Sequence, residues 1–131
     1  MDEALSAVRV LVADDEDDIR ALVGLAVRKA GCTVIGSVAD GSAALDLARA
    51  ELPDLAVLDV SMPGATGLEV CAALRADAAT ARIRILLLSA GASLEDVAAG
   101  LAAGADAYLA KPFQISALVH QVHALTARQP A

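Results

Sequence analysis

Aromatic side chains are almost missing from this 131-residue chain, which has one Tyr, one Phe and no Trp. Stacking on nucleic-acid bases is therefore nearly out of reach. Basic runs are missing too: 10 Lys and Arg stand against 17 Asp and Glu, a net charge of −7, so direct nucleic-acid binding by this segment is not expected. No apolar stretch is long and unbroken enough to span a bilayer, and Met1-Asp2-Glu3-Ala4 lacks the basic start of a secretory signal. The expectation is a cytoplasmic protein without membrane contact. Cysteine is sparse as well. Cys32 and Cys71 have no Cys or His partner at metal spacing and read as reduced, mostly buried small hydrophobes rather than a disulfide.

What the chain does have is aliphatic content: it is 57% hydrophobic, drawn mostly from Ala, Leu and Val. Its length fits one domain over residues 1–131, with a core from about 8 to 125 and short flexible termini. Short apolar runs alternate with stretches of helical period. The runs Val8–Ala13, Thr33–Val38, Leu55–Asp59, Ile83–Leu88 and Ala105–Ala110 read as strands. Between and after them lie apolar stripes at spacings of three and four: Ile19, Leu22, Val23, Ala26 and Val27; Ala44, Leu45, Ala48 and Leu52; Val70, Cys71 and Leu74; Leu94, Val97, Ala98 and Leu101; Ile115, Leu118, Val119, Val122 and Leu125. Each is expected to face inward. Asp17 or Asp18, Asp40 and the Thr66-x-x-Glu69 box are placed to start helices, Gly31, Pro53 and Gly104 to stop them. Gly100 lies inside the fourth stripe and makes that helix the one expected to be least rigid.

Strands alternating with helices through short loops specify an α/β domain whose parallel sheet is covered on both faces. Right-handed crossovers put every strand's carboxyl end on one edge. That edge gathers Asp14 and Asp15 after the first strand, Asp59 after the third, Ser89 after the fourth and Lys111 after the fifth. Taken singly, Asp59 is also explained as a turn or capping acid. Taken together, clustered carboxylates repel unless a hard divalent cation neutralises them, and Mg²⁺ suits few carboxylates, waters and a phosphate oxygen. A carboxylate nucleophile can accept a phosphoryl group as an acyl phosphate, its outer oxygens met by metal, amine and hydroxyl.

In Asp14-Asp15, Asp59-x-x-Met62-Pro63-x-x-x-Gly67, Ser89-Ala90 and Tyr108-x-x-Lys111-Pro112-Phe113, the chain resembles the receiver domain of two-component response regulators, from about Val8 to about Leu125. The resemblance implies a flavodoxin-like (βα)5 doubly wound sheet of strand order 2-1-3-4-5. It implies that Asp59 takes phosphate from a sensor histidine kinase or histidine phosphotransfer protein. Asp15, Asp59 and the carbonyl of Ser61 would bind Mg²⁺ directly, and Asp14 mainly through water. Ser89 and Lys111 would contact the phosphoryl group, and Lys111–Pro112 would be a cis peptide. By the same implication Ser89 and Tyr108 form a switch that remodels the fourth helix, fifth strand and fifth helix, a surface used toward an output domain, an effector or a second copy on activation. Gly91, Gly100 and Gly104 bracket and interrupt the segment that would move. Departures from the family pattern are modest: Ser89 stands where Thr is also used, Gln114 where an acid is often seen, and Ser61 and Gly91 at positions that tune phosphoryl lifetime.

Two other classes fit the same residues less well. A pseudo-receiver used only as a binding surface has no need of Asp14, Asp15, Asp59, Ser89 and Lys111 together. An aspartyl phosphatase would resemble Asp-x-Asp, with a second acid to protonate the leaving group, and Ser61 stands there instead. His120 and His123 on the last helix read as a solvated stripe, since no third metal ligand accompanies them.

Overall fold

The computed structural model describes residues 8–91 and 93–127. The stretches 1–7 and 128–131, on which the expectation of flexible termini falls, lie outside the described residues. Within them, strands β1 (Arg9–Ala13), β2 (Thr33–Val38), β3 (Leu55–Asp59), β4 (Arg84–Ser89) and β5 (Ala107–Ala110) alternate with helices α1 (Asp17–Lys29), α2 (Gly41–Glu51), α3 (Gly67–Ala76), α4 (Leu94–Ala102) and α5 (Ile115–Thr126). All pairings are parallel and the order is β2-β1-β3-β4-β5, the flavodoxin-like arrangement. β3 lies in the middle, and each of its residues is buried. A strand covered on both faces has no polar side to show, hence its unbroken apolar sequence.

Strand alternation divides the core in two. Leu11, Ala56, Leu58, Ile85 and Leu87 meet Ala44 and Ala48 of α2 and Val70, Cys71 and Leu74 of α3 on one face. Val10, Val12, Leu55, Val57, Leu86 and Leu88 meet Val23, Ala26 and Val27 of α1 and Leu118 and Val122 of α5 on the other. Successive strand side chains point to opposite faces, so one run feeds both layers.

Several expected boundaries and faces move. β5 begins at Ala107 rather than Ala105, because the Asp106 carboxylate itself accepts the Ile85 amide at 2.8 Å and stands in for a ladder carbonyl. β1 begins at Arg9 rather than Val8, and β4 runs Arg84–Ser89 rather than Ile83–Leu88. α1 is capped by Glu16, not by Asp17 or Asp18, and the Glu16 side chain makes no capping bond; Asp17 instead pairs with Arg20 at 2.7 Å. Leu52 takes a left-handed conformation, φ 49°, just past α2 and is half exposed rather than inward; Leu22 is also more exposed than its stripe predicts.

The largest departure is α4. Leu94 is 90% exposed and Leu101 50%, and Ala98 is exposed, whereas Gly100 is buried. A Cβ at Gly100 would lie 2.9 Å from Tyr108 Cδ2 and 3.1 Å from Leu87 Cδ1. The helix therefore turns its smallest residue onto the sheet, and the leucines face solvent. Here the glycine, read as a weak point, is the contact.

α3 is held as expected. The Thr66 hydroxyl accepts the Glu69 amide at 3.1 Å and the Glu69 carboxylate accepts the Thr66 amide at 2.9 Å. Thr66→Ala is expected to lower stability by about 1 kcal/mol, read as a lower urea midpoint at unchanged slope.

Candidate functional site at the carboxyl edge of the sheet

β1 and β3 are neighbours, with Ala13 beside Leu58, so the residues that follow, Asp14 and Asp59, emerge side by side. Asp14 is fully buried and Asp59 is 3% exposed, while Asp15 is exposed. One carboxylate oxygen from each of Asp14, Asp15 and Asp59 lies within 4.8 Å of the others. Lys111, just past β5, reaches across: its Nζ is 3.0 Å from Asp14 Oδ2 and 3.2 Å from Asp59 Oδ1. Its backbone is fixed by the Lys111 amide donating to the Ser89 carbonyl at 2.7 Å, and the Lys111–Pro112 peptide is cis. Asp15, Glu16, Asp59, Ser61, Ala90 and Lys111 line an open cavity of about 260 Å³.

The electrostatics follow from burial. Desolvation, then repulsion from Asp14, push the Asp59 carboxyl up to about 6, against the opposing pull of Lys111 and the Ser61 amide. Burial works against the charge on Lys111, but its contacts with Asp14 and Asp59 together outweigh it and hold its pKa above the ordinary value. Asp14 Oδ1 accepts the Glu16 amide at 2.9 Å. Asp14 Oδ2, although close to the ammonium, has no aligned hydrogen-bond donor. Three converging carboxylates, one of them with a buried oxygen that lacks an aligned donor, fit a hard cation in search of oxygen ligands.

Gly67 lets α3 start against this edge. Its amide donates to the Val60 carbonyl at 2.9 Å, and a Cβ there would lie 2.4 Å from the Asp59 carbonyl oxygen.

Not every expected residue converges. Ser89 ends β4 one strand from Asp59, yet its hydroxyl accepts the Gly91 amide at 3.0 Å; among the described residues it makes no hydrogen bond to Asp59 or Lys111. The Tyr108 hydroxyl donates to the Gly91 carbonyl at 2.6 Å, and its half-buried ring rests on Gly100. Ser89 and Tyr108 thus meet through the two sides of one residue rather than directly. His120 and His123 are exposed and stand apart from the acids, with His123 Nε2 3.1 Å from the Ala30 carbonyl. Both cysteines are free and buried, and burial raises both thiols.

Two contacts at the site are not legible in the sequence. Glu16 sends its carboxylate to Lys111 Nζ at 3.2 Å; it stands in a row of five acids, Asp14 to Asp18, and only the turn into α1 shows which of those after Asp15 reaches back. Gly91 links Ser89 to Tyr108, and its place in a Gly-containing loop carried no mark of that.

The family model for the response regulator receiver domain matches residues 10–123. The transcriptional regulatory protein PrrA of Mycobacterium leprae is 43% identical over 131 residues, 100% of this chain and 55% of the relative. The DNA-binding response regulator MtrA of Mycolicibacterium smegmatis is 41% identical over 118 residues, 88% of this chain and 49% of the relative. The chain therefore spans about half the length of these curated relatives. Among solved structures, the chemotaxis response regulator CheY4 of Vibrio cholerae superposes with TM-score 0.84 at 34% identity, covering 91% of this chain and 98% of that one. The receiver domain of Francisella response regulator 1452 gives 0.81 at 34% identity, covering 91% and 96%. A doubly wound α/β domain with acids and a lysine on its carboxyl edge is thus placed among signalling proteins. The chain belongs to the response regulator receiver domain family.

Proposed function

We propose that this chain is a single receiver domain in which Asp59 accepts a phosphoryl group from the phosphohistidine of a sensor histidine kinase or histidine phosphotransfer protein. The observation that carries the reading is the convergence of Asp14, Asp15 and Lys111 on Asp59 at the mouth of an open cavity. A carboxylate oxygen of Asp59 forms a bond to phosphorus as the donor's P–N bond breaks. The bonding pair leaves with the imidazole, which keeps or takes up a proton. With its pKa near 6, Asp59 is mostly ionised at pH 7 and can act as nucleophile. Asp15, Asp59 and the Ser61 carbonyl would hold Mg²⁺, with Asp14 behind them, and the ion when bound supplies positive charge to the phosphoryl oxygens. Lys111 supplies the protein's own positive charge to those oxygens, and Ser89 a hydroxyl donor.

Recruiting the Ser89 hydroxyl releases the Gly91 amide, and Gly91 is also the partner of Tyr108. The phosphoryl group therefore biases the surface of α4, β5 and α5, where Leu94, Ala98 and Leu101 are already exposed. That surface would address an output domain, an effector or a second copy. The half-length match to transcriptional regulators supports an output domain in the whole protein. The protein acts as a switch rather than an enzyme on other substrates: its chemistry is confined to its own phosphorylation and dephosphorylation. Among the described residues no helix is long and apolar enough to cross a membrane, which agrees with work in the cytoplasm.

Incubation with Mg²⁺ and acetyl phosphate tests the reading. Wild type is expected to gain the mass of one phosphoryl group and Asp59→Asn none. Equal gain by both would remove Asp59 as acceptor.

A further inference from the structure

Lys111 is claimed by more carboxylates than the phosphoacceptor chemistry uses. Besides Asp14 and Asp59, Glu16 Oε1 accepts a hydrogen bond from its Nζ at 3.2 Å, across 95 residues of sequence. Glu16 is the N-cap of α1, a position whose side chain ordinarily bonds an amide of the first turn, and here it bonds none. It reaches over the cavity mouth instead, with 63% of its side chain exposed. Asp17, the next acid, is held by Arg20 at 2.7 Å and leaves Lys111 alone. Of the acids on the exposed rim, Glu16 is thus the one bonded to the ammonium.

We infer that Glu16 is a positioning residue that holds the Lys111 ammonium at the rim of the resting site and competes with the incoming phosphoryl group for it. The inference rests on the phosphoacceptor reading. An acyl phosphate on Asp59 puts charge on oxygens further out than the bare carboxylate, and Lys111 must turn toward them. Glu16 opposes this twice, by holding one ammonium hydrogen and by repelling an anion at the same entrance. Its exposure keeps the opposition modest, because water screens the pair.

The test is the dissociation constant of beryllofluoride, a phosphoryl mimic, in saturating Mg²⁺, followed by amide shifts of the whole chain. Glu16→Gln is expected to bind about three-fold more tightly than wild type. Asp17→Asn, which removes the same charge one residue away, is expected to bind as wild type does. In ligand-free protein the Lys111 Nζ resonance should move in Glu16→Gln and stay in place in Asp17→Asn, a signature that loss of helix capping alone would not give. Failure of Glu16→Gln to tighten binding, or an equal gain in Asp17→Asn, overturns this role while leaving the acceptor assignment standing. Absence of saturable beryllofluoride binding in wild type overturns the acceptor assignment itself, and this role with it.

Discussion

Lys111→Met is expected to destabilise the metal-free protein by about 3 kcal/mol at pH 7. The lysine contributes its positive charge between two buried carboxylates, 3.0 Å from Asp14 and 3.2 Å from Asp59. Met keeps most of the aliphatic stem, so packing is largely conserved and the loss is electrostatic. Without the ammonium the two acids repel each other across a desolvated gap, and removing one partner of a buried ionic group costs more than the pair contributes. The sign of the pH response follows. Acidification lets Asp59 take up a proton and relieves the repulsion, so the gap between variant and wild type should narrow from pH 7 to pH 5. Millimolar Mg²⁺ should narrow it at pH 7, since a cation among the acids replaces the missing charge. Urea titrations at both pH values, with and without Mg²⁺, read all of this. A variant as stable as wild type in metal-free buffer at pH 7 would mean that Lys111 does not offset the acids.

How far the chain could be read in advance depended on whether the deciding interaction was local. β2 and β3 were legible to the residue, and so was the Thr66 capping box, because a buried strand and a helix start each follow from a few consecutive side chains. The sheet order came from likeness to a family, since alternation alone leaves the order open. α4 was misread because periodicity assumes that the apolar stripe is the buried one; Gly100 against Tyr108 reverses that, and the contact joins two elements. The start of β5 was misread for a similar reason, as Asp106 replaces a backbone partner with its own side chain. At the site, strand ends placed Asp14, Asp59 and Lys111 correctly because the sheet edge fixes where their backbones emerge. Side chains with a choice of partner were less legible. Ser89 bonds its own loop, and Glu16 leaves the helix it caps to meet Lys111.

Asp59→Asn is expected to act in the opposite direction to Lys111→Met and raise the stability of the metal-free protein by about 2 kcal/mol at pH 7. The folded protein lifts the Asp59 carboxyl from an ordinary 3.8 to about 6, so it binds that proton more tightly than the unfolded chain does. Stability from this group is therefore fully present below about 3.8 and is lost as pH rises through 6; above that, folding carries the whole cost of an ionised, desolvated carboxylate beside Asp14. A shift of this size corresponds to roughly 3 kcal/mol, and Asn forfeits part of the gain by giving up the Lys111 contact, which leaves about 2. Wild type and variant should differ most above pH 6 and converge toward pH 4. Saturating Mg²⁺ should shrink the difference at pH 7, because wild type gains a bound cation that the variant, one carboxylate short, holds less well. The comparison separates function from stability at one side chain: the carboxylate proposed as the nucleophile is the one whose charge the resting fold tolerates at a cost. If Asp59→Asn is less stable than wild type at pH 7 without metal, that cost does not exist and the electrostatic description of the site fails.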